Sequence, residues 1–236
     1  MGTFTDRVAV VTGAFGSLGI AVAQAFAEQG GKVALLGRAA TAPASLQQRF
    51  GAPHLLVGNV ELTDLSSATA AMDSVQQRLG RIDVLVNVAG GFRWEKLEHG
   101  DIDTWDRMYS INLKTALVAT RAALPHLLAS APASIVNVGA GAATKPATAG
   151  MGAYLASKGG VQKLTESLAD ELKDKGMTVN AVLPGTIDTA QNRADMPTAD
   201  FSRWVPASAI ADVITFLASA RASAVTGAAI PVFGRG

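Results

Sequence analysis

Apolar and polar residues along this chain follow two alternating rhythms. Short aliphatic and β-branched runs, at Val8–Thr12, Lys32–Leu36, His54–Val57, Val84–Val86, Ser134–Val138, Thr178–Leu183 and Ile230–Phe233, read as strands. Between them, longer stretches with apolar residues three and four apart read as helices: Leu18–Gln29, Ala44–Arg49, Ser66–Leu79, Ile102–Ala129, Gly152–Lys175 and Ala207–Ala218. Strands that alternate with helices predict βαβ units, parallel pairing and right-handed crossovers. The expected fold class is therefore α/β, a three-layer sandwich with a doubly wound parallel sheet of about seven strands. No repeat or low-complexity linker interrupts the pattern, so residues 1–236 are read as a single domain. Regular structure is weakest over Pro184–Pro206, where Pro184, Pro197 and Pro206 break any long element. A connection of that length after a strand is expected to be a functional loop or lid.

Composition narrows the function classes. Hydrophobic residues make up 49% and charged residues 17%, with a formal net charge of +1 and basic residues scattered, which argues against a nucleic-acid surface. Cysteine is absent, so disulfides and thiolate metal sites are excluded, and a reducing cytoplasmic location is expected. His54, His99 and His126 are too dispersed to form a metal site. The N-terminal stretch lacks the layout of a secretory signal, and no apolar run approaches the ~20 residues of a membrane span.

Three features carry candidate chemistry. Gly13, Gly16 and Gly19 stand three apart between the first strand and the first helix. Glycines there let the backbone turn sharply and let a pyrophosphate approach the amides of a helix N-terminus; alternatively they only make a tight turn. The second strand ends in Gly37-Arg38, where an NAD site usually carries a carboxylate for the ribose 2′-hydroxyl. A missing carboxylate beside a guanidinium favours NADP(H), unless Arg38 is simply a surface arginine. Tyr154 and Lys158 lie at i and i+4 of a helix, one turn apart. A phenol with a reference pKa of about 10 is a poor acid–base group at neutral pH, and a neighbouring ammonium is expected to lower that value.

Taken together, the glycine turn and Tyr154-x-x-x-Lys158 resemble the short-chain dehydrogenase/reductase family, whose fold is of Rossmann type. The likeness runs along nearly the whole chain. Asn87-Val88-Ala89-Gly90 resembles an Asn-Asn-Ala-Gly element, Asn112 lies in "INLKTA", and "VNAVLPGTIDT" resembles the sixth strand and its Pro-Gly turn. The resemblance implies Tyr154 as proton donor, Lys158 as its partner and ribose ligand, and Asn112 as support for a proton relay. It implies a dinucleotide held by Gly13, Phe15, Gly16, Ser17, Leu18, Gly19, Arg38, Asn59, Val60, Asn87, Ala89, Gly90, Tyr154, Lys158, Pro184, Gly185, Ile187 and Thr189. It also implies a small-molecule substrate and a homodimer or homotetramer.

The departures are as informative. Gly16 and Ser17 are exchanged relative to the usual glycine turn, and Asn59 stands where an Asp usually follows the third strand. The serine that normally polarises the substrate carbonyl falls on Gly139, Ala140 or Gly141, none of which has a hydroxyl. Within the family, the quinonoid dihydropteridine reductases share the glycine framing and the missing serine. "VAGGF" at Val88–Phe92, "GMGAY" at Gly150–Tyr154 and Leu183–Pro206 resemble them too, whereas Gly37-Arg38 departs from their NADH-type acidic residue. An activated C=N or C=O substrate is expected, with a general ketone or 3-oxoacyl reductase and a non-catalytic NADP(H)-binding sensor as alternatives. Phe92, Trp94, Ala140 and Trp204 are the expected substrate contacts, unless the aromatic residues only pack their loops.

Overall fold

The computed structural model describes residues 2–235. Its centre is a parallel sheet of seven strands in the order β3-β2-β1-β4-β5-β6-β9. These are β1 (Val8–Thr12), β2 (Lys32–Leu36), β3 (Leu55–Val57), β4 (Val84–Asn87), β5 (Ala133–Val138), β6 (Met177–Pro184) and β9 (Ala229–Val232). The remaining strands, β7 (Ile187–Asp188) and β8 (Val205–Pro206), form a separate parallel pair. Helices α1 (Ser17–Glu28), α2 (Ala44–Arg49), α3 (Leu65–Leu79), α4 (Ile102–Met108), α5 (Thr115–Ala129), α6 (Gly152–Leu172), α7 (Ala190–Asp195) and α8 (Ala207–Ala218) complete the chain.

The central strands are apolar throughout because both sheet faces are covered. Side chains alternate along β1: Ala9 and Val11 face Leu18, Val22 and Phe26 of α1 and Ile210, Ile214 and Leu217 of α8. Val8 and Val10 face the opposite layer, with Met72 and Val75 of α3, Ala119 and Leu127 of α5, and Leu168 and Leu172 of α6. Helix α3 starts where the Asp64 carboxylate accepts the Ser67 N–H at 2.9 Å, and stops at Gly80, whose φ of 89° is left-handed. At the N-terminal ends of the central strands, buried Asp83 accepts the Val8 N–H at 2.8 Å and two Arg81 donors at 2.9 and 2.6 Å. That carboxylate ties the start of β1 to the start of β4.

Two expectations from the sequence are corrected. The helix predicted over Ile102–Ala129 is helical throughout, but a π turn at Tyr109–Lys114 separates α4 from α5. The segment predicted as an irregular loop holds α7, a 3₁₀ turn at Phe201–Arg203 and the β7–β8 pair. Its prolines are compatible with this because Pro184 and Pro206 end strands and Pro197 lies between elements. Strand order reverses between β1 and β4, which places a crevice at their C-terminal ends, where open α/β sheets bind ligands. Among the described residues, no helix is long and apolar enough to cross a membrane.

Candidate active site

The crevice opens at the β1–α1 turn. Gly13 has a φ of +62°, and a side chain there would start 2.8 Å from the Ala89 Cα, so this turn packs directly on the one after β4. Thr12 fixes that packing, because its hydroxyl oxygen accepts the N–H groups of Val88 and Ala89, each at 3.1 Å. Gly16 is the N-cap of α1; it is exposed and offers no side-chain cap. A helix N-terminus with an open approach and no acidic residue in its first turn suits a phosphate group.

Beside this turn, Gly13, Phe15, Gly16, Gly37, Arg38 and Ala39 line a cavity of about 370 Å³. The backbone of the cavity wall is braced from β3: the Asn59 N–H bonds Ala39 and the Val60 N–H bonds Gly37, each at 3.1 Å. Asn59 adopts a φ of +57°, a conformation asparagine tolerates better than most residues. Arg38 is exposed at the mouth. Its charge adds to a lowering of the Glu61 carboxyl whose main cause is the Thr63 N–H, followed by the Thr63 hydroxyl.

The remaining polar candidates gather at the C-terminal ends of β4 and β5. Asn112 lies in the π turn, and its amide makes a two-way bridge to Gly91: Oδ1 accepts the Gly91 N–H at 2.9 Å, and Nδ2 donates to the Gly91 carbonyl at 3.1 Å. Nδ2 also donates to Ser157 Oγ at 3.1 Å, and that hydroxyl donates to the Tyr154 carbonyl at 2.7 Å. Lys158 is buried, and its Nζ donates to the Val138 carbonyl at 2.8 Å. Gly90 makes this convergence possible, since a Cβ there would sit 2.6 Å from Asn112 Oδ1 and 3.3 Å from Lys158 Nζ. The ends of β4 and β5, the π turn and α6 are thus drawn to one point. Asn87 does not reach it as an open ligand: its amide donates to Thr120 and Asn137 inside the sheet, at 3.1 and 2.9 Å.

Electrostatically the pair differs from the expectation of an acidified phenol. Burial pushes the Tyr154 hydroxyl up from 10.0 to about 12, and burial pulls the Lys158 ammonium down from 10.5 to about 8. Desolvation penalises the charged form of each, and it outweighs any attraction between them. Tyr154 is therefore protonated across the neutral range.

The pattern of the short chain dehydrogenase family matches residues 7–199. The chain belongs to that family. It is 32% identical over 198 residues to an uncharacterized oxidoreductase of Staphylococcus aureus strain USA300, covering 84% of this chain and 85% of the relative. It is 33% identical over 190 residues to an uncharacterized oxidoreductase of Staphylococcus saprophyticus, covering 78% and 80%. Among solved structures it is similar to carveol dehydrogenase from Mycobacterium avium in complex with NAD, with a TM-score of 0.86 and 28% identity. That likeness covers 100% of this chain and 99% of the other.

The residues of this short-chain dehydrogenase expected from the sequence to meet a substrate lie at the end of β5 and in the segments after β4 and β6. After β5 the chain passes through Gly139, Ala140 and Gly141, and Ala140 is buried. A side chain at Gly139 would begin 2.5 Å from Leu183 Cδ2, and one at Gly141 would run into the Phe233 ring, 2.9 Å from its Cζ. Phe92 stands edge-on to the Tyr154 ring, with centroids 5.0 Å apart, and is 58% exposed. Trp94 is half-exposed but held: its Nε1–H donates to the Ala149 carbonyl at 3.0 Å, and its ring packs on Gly150, two residues before α6. The Trp204 ring lies tilted against Phe201, with centroids 4.7 Å apart, and Phe201 lies under the Arg193 guanidinium at 4.8 Å, so this aromatic pair packs within its own segment. There too, Gly185 bonds Val232 at 3.0 Å, Ile187 pairs with Val205, and Thr189 caps α7. Thr12 and Ser157 were not singled out from the sequence; Ser157 shares the helix face of Tyr154 at i+3, which is the signal that could have found it. Among the described residues, no group of three or more His, Asp or Glu side chains could hold a metal ion.

Proposed function

We propose that this protein is an NADPH-dependent reductase of an activated, planar C=N or C=O substrate, with a quinonoid dihydropterin as the leading candidate. The single observation that carries the reading is the strand end Gly139–Ala140–Gly141, which offers no hydroxyl and leaves Tyr154, kept protonated by burial, as the proton donor. An ordinary ketone gains from a second hydrogen bond on its developing alkoxide, and losing such a donor costs on the order of 10²–10³ in rate. An imine-like, conjugated acceptor needs mainly one proton donor. The likeness of residues 183–206 to dihydropteridine reductases, including Met196, Phe201 and Trp204, supports the same substrate class.

The residues fit a nicotinamide dinucleotide. The uncapped α1 N-terminus with Gly13, Gly16, Ser17, Leu18 and Gly19 would hold the pyrophosphate, and the cavity bounded by Phe15, Arg38 and the Asn59–Val60 brace would hold the adenosine end. Gly90, Lys158, Pro184, Gly185, Ile187 and Thr189 would flank the nicotinamide end. Bound NADPH supplies a hydride. Tyr154 then donates its phenolic proton to the substrate nitrogen or oxygen, a role that requires the protonated form burial maintains. Lys158 is held at the end of β5 by the Val138 carbonyl, and Asn112 fixes the 90–91 turn through Gly91. Phe92 and Trp94 would flank a flat ring. The NADPH preference rests on Gly37-Arg38, in contrast to the NAD held by the carveol dehydrogenase. Exposed Ile102, Trp105, Tyr109 and Leu117 on α4–α5 support assembly as a homodimer or homotetramer.

A second reading, turnover of an ordinary alcohol or ketone, is favoured by the structural likeness to carveol dehydrogenase. Ala140→Ser separates the two. The proposal expects rates on quinonoid dihydropterin to stay within about threefold and simple-ketone reduction to rise about tenfold or more. A wild type that already reduces simple ketones faster than the pterin would overturn it.

A further inference from the structure

The end of β2 lacks a carboxylate, and the neighbouring turn shows why one cannot simply be placed there. A Cβ added to buried Gly37 would lie 2.5 Å from Cγ of Phe15, with the ring atoms Cδ2 and Cε2 closer still. Cγ is the root of the ring, so spinning the ring about its own axis gives no relief; the whole side chain must leave its rotamer. Both backbones are held by hydrogen bonds. The Gly37 N–H donates to the Val57 carbonyl at 2.9 Å, and the Gly37 carbonyl accepts the Val60 N–H at 3.1 Å. On the other side, the Ala14 N–H donates to the Leu36 carbonyl at 3.0 Å, and the Gly16 N–H closes onto Gly13 at 3.1 Å. Phe15 is half-buried and packs against the core between α1 and the sheet, so moving it exposes apolar surface.

We infer that Phe15 and Gly37 are one interlocked specificity element, in which the phenyl ring fills the volume a ribose-binding carboxylate would need. The element closes the NAD-type solution by shape, leaving exposed Arg38 as the side chain that reads the 2′ substituent. This inference rests on the NADPH reading above. It assigns Phe15 a role in cofactor choice that no charge comparison at the end of β2 would find. A lone Gly37→Asp exchange therefore fails to create an NADH site, because the new carboxylate and the ring compete for one space.

The test is a double-mutant cycle over Gly37→Asp and Phe15→Ala on the full chain, read in two ways. Without cofactor, G37D is expected to lower the melting temperature by about 2–10 °C, as overpacking does, and most of that loss is expected to vanish in the Phe15→Ala background. In titrations with NADH and NADPH, the double variant is expected to bind NADH about tenfold or more tighter than G37D does. If Asp is too disruptive in either background, Gly37→Ala with and without Phe15→Ala reads the same interlock through melting temperature. Equal melting penalties in both backgrounds, or G37D alone gaining NADH affinity with unchanged stability, would overturn the inference. A wild type that binds NADH more tightly than NADPH overturns the cofactor reading instead, and the cofactor-free melting temperatures still decide the interlock.

Discussion

Lys158→Met replaces a buried ammonium with an uncharged chain of similar length, and the pH dependence of its effect can be worked out in advance. In the folded protein, burial holds the Lys158 ammonium at about 8, against 10.5 for the ordinary group, despite its 2.8 Å bond to the Val138 carbonyl. Below about pH 8 folded and unfolded chains both keep the proton, and the folded state bears the burial penalty. Between about 8 and 10.5 the unfolded chain binds more protons than the folded one, so stability rises with pH across that window. The full displacement corresponds to about 3 kcal/mol, most of which accrues between about pH 7 and pH 10. Methionine does not titrate, and losing the Val138 bond shifts its stability by an amount independent of pH. Tyr154, raised to about 12, withdraws stability only above about pH 10 and does so in both proteins, so it drops out of the difference. Urea unfolding of wild type and K158M at a series of pH values is therefore expected to show wild type gaining on the variant by about 2–3 kcal/mol, or about 5–10 °C in melting temperature. Parallel stability profiles, differing by less than ~0.5 kcal/mol across the series, would refute a desolvated ammonium at this position.

Three further outcomes follow from particular contacts. Asp83→Ala strips the buried partner from the Val8 N–H and from both Arg81 donors, and is expected to destabilise the fold by about 3 kcal/mol or more in urea unfolding. Gly90→Ala drives a methyl group into Asn112 Oδ1 and toward Lys158 Nζ; turnover is expected to fall at least about 10²-fold with secondary structure retained by circular dichroism. Tyr154→Phe keeps the packing against Phe92 but removes the proton donor, so steady-state assays are expected to show a loss of about 10²–10⁴ in kcat with NADPH affinity little changed.

The sheet was legible because its strands are covered on both faces: Val8 and Val10 serve one layer while Ala9 and Val11 serve the other, leaving a continuous apolar run. The π turn was not, since one extra residue per turn leaves the helical rhythm through Ile102–Ala129 almost unbroken. Prolines concealed α7, because the Thr189 hydroxyl caps a helix too short to show a period. At the site, the spacing of Tyr154 and Lys158 announced the pair, but not its charge state. That depends on burial beneath Gly90 and Val138, which are distant in sequence. The contact of Phe15 with Gly37 was invisible for the same reason, since the two positions meet only once β2 lies beside β1.

On the function proposed above, a donor-poor strand end and a protonated Tyr154 suit an activated acceptor reduced with NADPH. The most direct measurement is kcat/KM of the purified protein for quinonoid dihydropterin and for a small set of simple ketones, each with NADPH and with NADH. The pterin with NADPH is expected to exceed every ketone by about 10² or more, in line with the missing second donor, and NADH is expected to be the poorer cofactor. Comparable values for pterin and ketones, or tight NADPH binding without turnover of either, would contradict it.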